Sequence, residues 1–93
     1  LDFDIIHDTK KHKFYIAIKG QEAHLEYEDK GDGVLDFFHT FVPSVFRGQG
    51  IAAKILKFAC DYAKENGFKI IATCPYAKNF ISQNEDYKNL LLN

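Results

Sequence analysis

Val42-Pro43-Ser44-Val45-Phe46-Arg47-Gly48-Gln49-Gly50-Ile51-Ala52 is the stretch on which the reading of this chain turns. It stands where one hydrophobic period gives way to another. Before it, apolar residues recur at every second position, as along a strand; after it, they recur at every third or fourth, as along a helix. Pro43 lacks the N–H that a strand ladder needs and stops the strand. Gly48 and Gly50 then fall where the helix begins. The first N–H groups of a helix have no intrahelical partner and carry the positive end of its dipole. Glycine lets a ligand approach that backbone closely. A phosphate or pyrophosphate is the natural guest of such a turn.

Working outward from the loop, the N-terminal half reads as strands. Phe3, Ile5 and His7 alternate with Asp2, Asp4 and Ile6 and predict an edge strand. The polar tract Asp8-Thr9-Lys10-Lys11-His12 predicts a turn. Phe14, Ile16 and Ile18 alternate with Tyr15, Ala17 and Lys19. Gly20 breaks this strand from the next, where Ala23, Leu25 and Tyr27 face inward while Glu22, His24, Glu26 and Glu28 meet water. Lys30-Gly31-Asp32-Gly33 predicts a tight turn. In the fourth strand, Val34 to Val42, Leu35, Phe37 and Phe41 share one face and Val34, Phe38 and Val42 the other. Apolar on both sides, it is expected in the middle of a covered sheet. His7, His12 and His24 are expected on the surface.

Beyond the loop, Ile51, Ile55, Phe58, Ala59, Tyr62 and Ala63 form one helical face, with Cys60 at its margin and Lys54, Lys57, Asp61 and Lys64 opposite. Asn66-Gly67 stops the helix. Lys69 to Cys74 reads as a short buried strand closed by Pro75, and Tyr76 to Gln83 as a second short helix. Leu90-Leu91-Leu92 has no assigned place. The pattern is an antiparallel β-meander followed by one βαβ crossover and a short C-terminal helix, an α+β fold with an α/β element. At 93 residues this is a single domain spanning 1–93.

Composition excludes several classes of function. A formal net charge of −1 offers no basic footprint for nucleic acid or an anionic membrane. No run approaches the roughly 20 apolar residues of a spanning helix, and the N-terminus has no continuous apolar stretch of the signal-peptide kind. Cys60 and Cys74 stand without a CxxC pair or a His at metal-ligand spacing, so no metal is expected and both read as free thiols in a reducing, cytoplasmic setting.

The glycine loop fits known phosphate motifs unequally. A Walker A loop requires Lys-Ser/Thr after the glycines, and none follows. Gly48, Gly50 and Ala53 satisfy the dinucleotide fingerprint formally, but that motif belongs after the first strand of a doubly wound sheet. Here it follows the fourth strand, and Ile70 to Cys74 carries no carboxylate for a ribose. A plain strand-to-helix turn is the remaining bland reading. Arg47-x-x-Gly50-x-Ala52, preceded by Phe41-Val42-Pro43, resembles the Q/R-x-x-G-x-G/A pyrophosphate loop of the GNAT superfamily of N-acyltransferases. Cys74-Pro75-Tyr76-Ala77-Lys78-Asn79-Phe80-Ile81, with Asn84 and Tyr87, is similar to the stretch after the fifth strand in a very small GNAT-like acetyltransferase group.

That resemblance implies a minimal GNAT-like fold and acetyl-CoA as cosubstrate. It implies that backbone N–H groups of Arg47, Gly48, Gln49, Gly50, Ile51 and Ala52 hold the pyrophosphate, and that Phe41 and Val42 pair with the pantetheine arm. The fourth and fifth strands would splay around the thioester. An amine acceptor, small molecule, peptide or protein, is the implied partner. Larger members place two helices between the first two strands, where this chain has only Asp8 to His12, so the acceptor side should be open. His39 reads either as a base for the amine or as a histidine bonded within the sheet. Cys74 reads either as an acyl carrier or as a thiol lining the site, with direct amine attack preferred. Tyr76 and Tyr87 are candidates to protonate the departing thiolate, or are packing surface. A non-catalytic acyl-CoA-binding or sensing module would need the loop alone, and an interaction domain would need neither loop nor thiol.

Overall fold

The computed structural model describes residues 4–93; Asp2 and Phe3 of the expected first strand lie outside them. Five strands form one sheet in sequence order: β1 (Ile6–Asp8), β2 (Lys13–Ile18), β3 (Gln21–Gly31), β4 (Val34–Phe41) and β5 (Lys69–Ala72). The first four are antiparallel neighbours, and β5 pairs parallel to β4. Helix α1 (Ile51–Glu65) makes the crossover between them, and α2 (Pro75–Ser82) follows β5. This is the α+β architecture that the pattern of periods predicts.

Turn chemistry sets the register. Lys19 and Gly20 both have positive φ, 50° and 77°, and so do Asp32 and Gly33, 55° and 76°. Two successive left-handed residues make the primed turns whose twist matches that of the flanking strands. In the first connection, Asp8 Oδ1 accepts from the N–H groups of Lys10 and Lys11, both at 3.0 Å.

Phe14, Leu25, Leu35, Phe37 and Ile70 bury completely on one face of the sheet, against Ile55, Leu56, Ala59 and Cys60 of α1 and Ala77 and Ile81 of α2. The buried face of α1 is rotated from the expected one. Leu56 and Cys60 are central, while Phe58 is 41% exposed. The sheet is not covered on its other side by any described element. Phe38 and Phe41 are 45% and 43% exposed there, which corrects the expectation of a doubly covered β4.

The reason is a β-bulge. Tyr27 pairs with Phe37 and Glu26 with His39, leaving Phe38 as an extra residue. One added residue inverts the facing of everything after it. Phe41 therefore leaves the face of Leu35 and Phe37 and stands beside His24, its cross-strand partner, at 5.7 Å between rings. Val42 turns inward against the core.

One further placement differs from the sequence reading, and one fills a place it left open. His7 is half-buried: its ring stacks on Phe14 at 4.0 Å, and its Nε2 lies 2.7 Å from the Tyr27 hydroxyl. The leucine tail lies alongside the edge strand β5, where Leu91 forms a parallel bridge with Ile70 and Leu92 N–H donates to Ile70 O at 2.9 Å.

Candidate functional site

The site is built where β4 and β5 part. Their pairing ends at Phe37 and Ala72, followed by one last bond from Cys74 N–H to Phe37 O at 3.1 Å. The bulge at Phe38 bends one strand, and Pro75 ends the other without a donor. Thr73 pins the start of the split by donating its hydroxyl to Asp36 Oδ1 at 2.9 Å.

A cavity of about 320 Å³ opens at this split. Thr40, Phe41 and Val42 supply its β4 wall, Phe46, Arg47, Gly48 and Gly50 its loop, Ile51 and Ala52 the start of α1, and Tyr76 the edge of α2. The loop folds as one short 3₁₀ turn, Ser44–Phe46, then Arg47 reaches back to donate from Nε to Val42 O at 3.3 Å. Gly48 and Gly50 take φ of 83° and 71°, which an L side chain adopts only at a cost. A Cβ on either would meet no atom within 4 Å. The glycines serve the backbone turn, and the space over them is open.

Gly50 is the N-cap of α1, offers no side-chain cap, and has no acidic residue in the turn after it. The first intrahelical bond runs from Lys54 N–H to Gly50 O at 3.1 Å. The N–H groups of Ile51, Ala52 and Ala53 precede it and lie at the positive end of a helix of 15 residues. Open space, left-handed glycines, uncapped donors and an absence of carboxylate in the first turn all suit a pyrophosphate. The acetyl-CoA that the resemblance implies therefore fits the residues present.

Residues 13–90 match the sequence profile described as GCN5-related N-acetyl-transferase. The chain belongs to that family. A GCN5-like protein of Staphylococcus aureus, solved by NMR, superposes with a TM-score of 0.78 at 30% identity, covering 98% of this chain and 89% of that one. Protein NATD1 of Xenopus tropicalis is 38% identical over 80 residues, 84% of this chain and 73% of its own. Human Protein NATD1 is 35% identical over the same length, 84% of this chain and 71% of its own. The minimal fold expected for the GNAT superfamily is the fold observed, and membership in this family implies use of acetyl-CoA.

The candidate residues distribute unevenly around this cavity. Tyr76, 48% exposed, stands at its edge. Cys74 is buried at the N-cap of α2, its Sγ 3.5 Å from the hydroxyl of the cavity-lining Thr40. His39 is exposed on the bare face, beside His24 and Glu26, and is not part of the cavity wall. Its place in the chain suggests a buried interruption of an apolar strand; the bulge instead turns it outward. Gln49 is exposed and outside the lining. Tyr87 also lies outside it. Its buried hydroxyl donates to Asp61 Oδ1 at 2.5 Å, fastening the C-terminal segment to α1. Burial and that carboxylate raise its pKa. Cys60 is fully buried, and burial pushes its thiol up to about 12. Sequence reasoning missed Thr40 and Phe46. Phe46 belongs to the quoted loop, but nothing in the pattern distinguishes Thr40 before the bulge is known.

Proposed function

We propose that this chain transfers an acetyl group from acetyl-CoA to a primary amine. The observation that carries the reading is the uncapped, glycine-led N-terminus of α1 opening into the cavity at the β4–β5 split. Acetyl-CoA supplies an activated thioester. The backbone N–H groups from Gly48 to Ala52 hold its pyrophosphate, since Arg47 N–H already donates to Ser44 O at 3.3 Å, and the backbone at Phe41 and Val42, where β4 ends, aligns the pantetheine arm. Such positioning is a large part of what an acyltransferase must provide.

An amine attacks as the free base, so a proton must leave it near the moment of attack. His39 takes that role for an amine arriving from the bare face of the sheet. Tyr76, at the cavity edge, is favoured over the tethered Tyr87 to protonate the departing thiolate. Cys74 lines the split beside Thr40, and attack on the thioester is direct. Only Thr9–His12 separates β1 from β2, which leaves the acceptor side open and supports exposed amines, including those of peptides or proteins.

The test is thermal unfolding with acetyl-CoA, NAD and ATP in parallel, followed by an amine screen with detection of free thiol. Acetyl-CoA at 100 times its Kd should stabilise by about 2.7 kcal/mol. Equal stabilisation by NAD overturns the reading of the loop. Binding without turnover on any amine leaves the acyl-CoA-sensing module as the function.

A further inference from the structure

We propose that His24, Glu26 and His39 form a binding site for a divalent transition-metal ion of the zinc class on the bare face of the sheet. His24 and Glu26 are two apart on β3 and therefore face the same way. His39 is the direct cross-strand partner of Glu26, and the bulge at Phe38 is what turns it to their side. One ligand atom from each residue lies within 4.8 Å of the others. Ligands about 2.0–2.1 Å from a tetrahedral ion sit about 3.3 Å from one another. The pair His24 Nε2 and Glu26 Oε1 already stands at 3.2 Å. Rotation of the exposed His39 ring supplies the rest.

The surroundings prepare the site for a cation. Glu22 Oε2 lies 2.9 Å from His24 Nδ1, and accepting the proton there leaves the Nε2 lone pair directed at Glu26. A carboxylate on the far nitrogen is the usual device for fixing the tautomer of a metal-binding imidazole. Lys13 Nζ contacts both oxygens of Glu22 at 2.8 Å and holds that carboxylate in place. In this tautomer, two lone-pair-bearing atoms face each other at 3.2 Å, a repulsive pairing that a cation between them makes attractive. The ring of His24 is flanked by Phe41 at 5.7 Å and by His39 at 5.8 Å between centroids.

Two imidazoles and one carboxylate select zinc, nickel or copper over magnesium or calcium, which prefer all-oxygen shells. With three protein ligands the fourth position stays open to solvent. A metal here takes the lone pair that His39 needs as a base, so the two uses of that side chain exclude one another.

The experiment is calorimetric titration of tag-free, chelator-treated protein with ZnCl₂ at pH 7.5, and the visible spectrum of the Co²⁺ form. One equivalent should bind, with a tetrahedral Co²⁺ spectrum lacking a thiolate charge-transfer band. His24→Ala and His39→Gln should each weaken binding at least tenfold, with unchanged circular dichroism. Glu22→Gln, which touches no metal, should weaken it by about 10–100-fold. Zn²⁺ affinity that survives both histidine substitutions overturns the proposal. So does a thiolate band, which moves the ion to a cysteine. No heat at 100 micromolar ZnCl₂ (on the order of a weak surface site's Kd), with both His24 nitrogens protonated by NMR, assigns the cluster instead to an imidazolium between two carboxylates.

Discussion

Gly50→Ala isolates the loop's role when it is matched with Gly20→Ala. Gly50 has φ of 71° and Gly20 has φ of 77°, and a Cβ on either meets nothing within 4 Å. Neither substitution creates a clash, and both force alanine into the left-handed region. That costs about 1–2 kcal/mol, of which roughly 0.4–1 kcal/mol is returned by a stiffer unfolded chain. The net loss is about 1 kcal/mol in each variant, or about 4–8 °C of Tm for a domain of this size. The variants diverge only with ligand. Gly20 sits in the β2–β3 turn, whereas Gly50 lines the cavity and caps α1. A methyl group on Gly50 would occupy open space at the cavity wall, where the pyrophosphate is proposed to approach. Losing one hydrogen bond to a charged ligand removes about 1.5–3 kcal/mol, or on the order of 10–100-fold in affinity. Acetyl-CoA should therefore stabilise Gly20→Ala as it does the wild type, and Gly50→Ala much less. The assay is a pair of calorimetric titrations on variants of equal Tm. If Gly50→Ala binds as tightly as Gly20→Ala, the phosphate does not sit on this helix.

The remaining expectations concern single side chains. Tyr87→Phe should lower stability by about 1.5–3 kcal/mol, the value of a hydrogen bond to a charged group, and leave kcat unchanged; a large fall in kcat would return Tyr87 to the site. His39→Ala should lower turnover by about 10²–10⁴-fold, while Cys74→Ala stays active and intact-protein mass spectrometry with acetyl-CoA alone finds no adduct. A stoichiometric, transferable acetyl group on Cys74 would instead establish an acyl-enzyme, and Cys60, with its thiol pushed up to about 12, should stay unmodified. Burial holds the His7 imidazole below its ordinary value, with Asp8 pulling the other way. Below about pH 6.5 the unfolded chain then binds the extra proton first. The His7 contribution is complete above that pH and is lost as pH falls through it toward the lower folded value. Urea unfolding from pH 7 to pH 5 should show a steeper loss for the wild type than for His7→Phe.

Local rules carried the sequence reading where each feature depends on neighbours in the chain. The change of period at Pro43, the paired turn residues Lys19-Gly20 and Asp32-Gly33, and the glycines at the head of α1 are all of this kind. Period two and period 3.6 are properties of the backbone alone, so they survive into the fold. From them followed the meander, the crossover and the glycine-led turn into α1, and the family likeness lay in that same local stretch.

Tertiary structure decided whatever depends on which residue meets which across the sheet. The bulge at Phe38 is set by the pairing of β4 with β3, not by any motif within β4, and it reverses the facing of His39 and Phe41. The same shift creates the His24–Glu26–His39 cluster from residues that are up to 15 positions apart in the chain. Tyr87 lies near the candidate stretch in sequence, yet Asp61 of α1 claims its hydroxyl. His7 reads as surface by its polarity, yet Phe14 and Tyr27 give it a stacking partner and a hydrogen bond. Strand alternation fixes facing only modulo one residue, so a single unpaired position overrides the pattern for the rest of the strand.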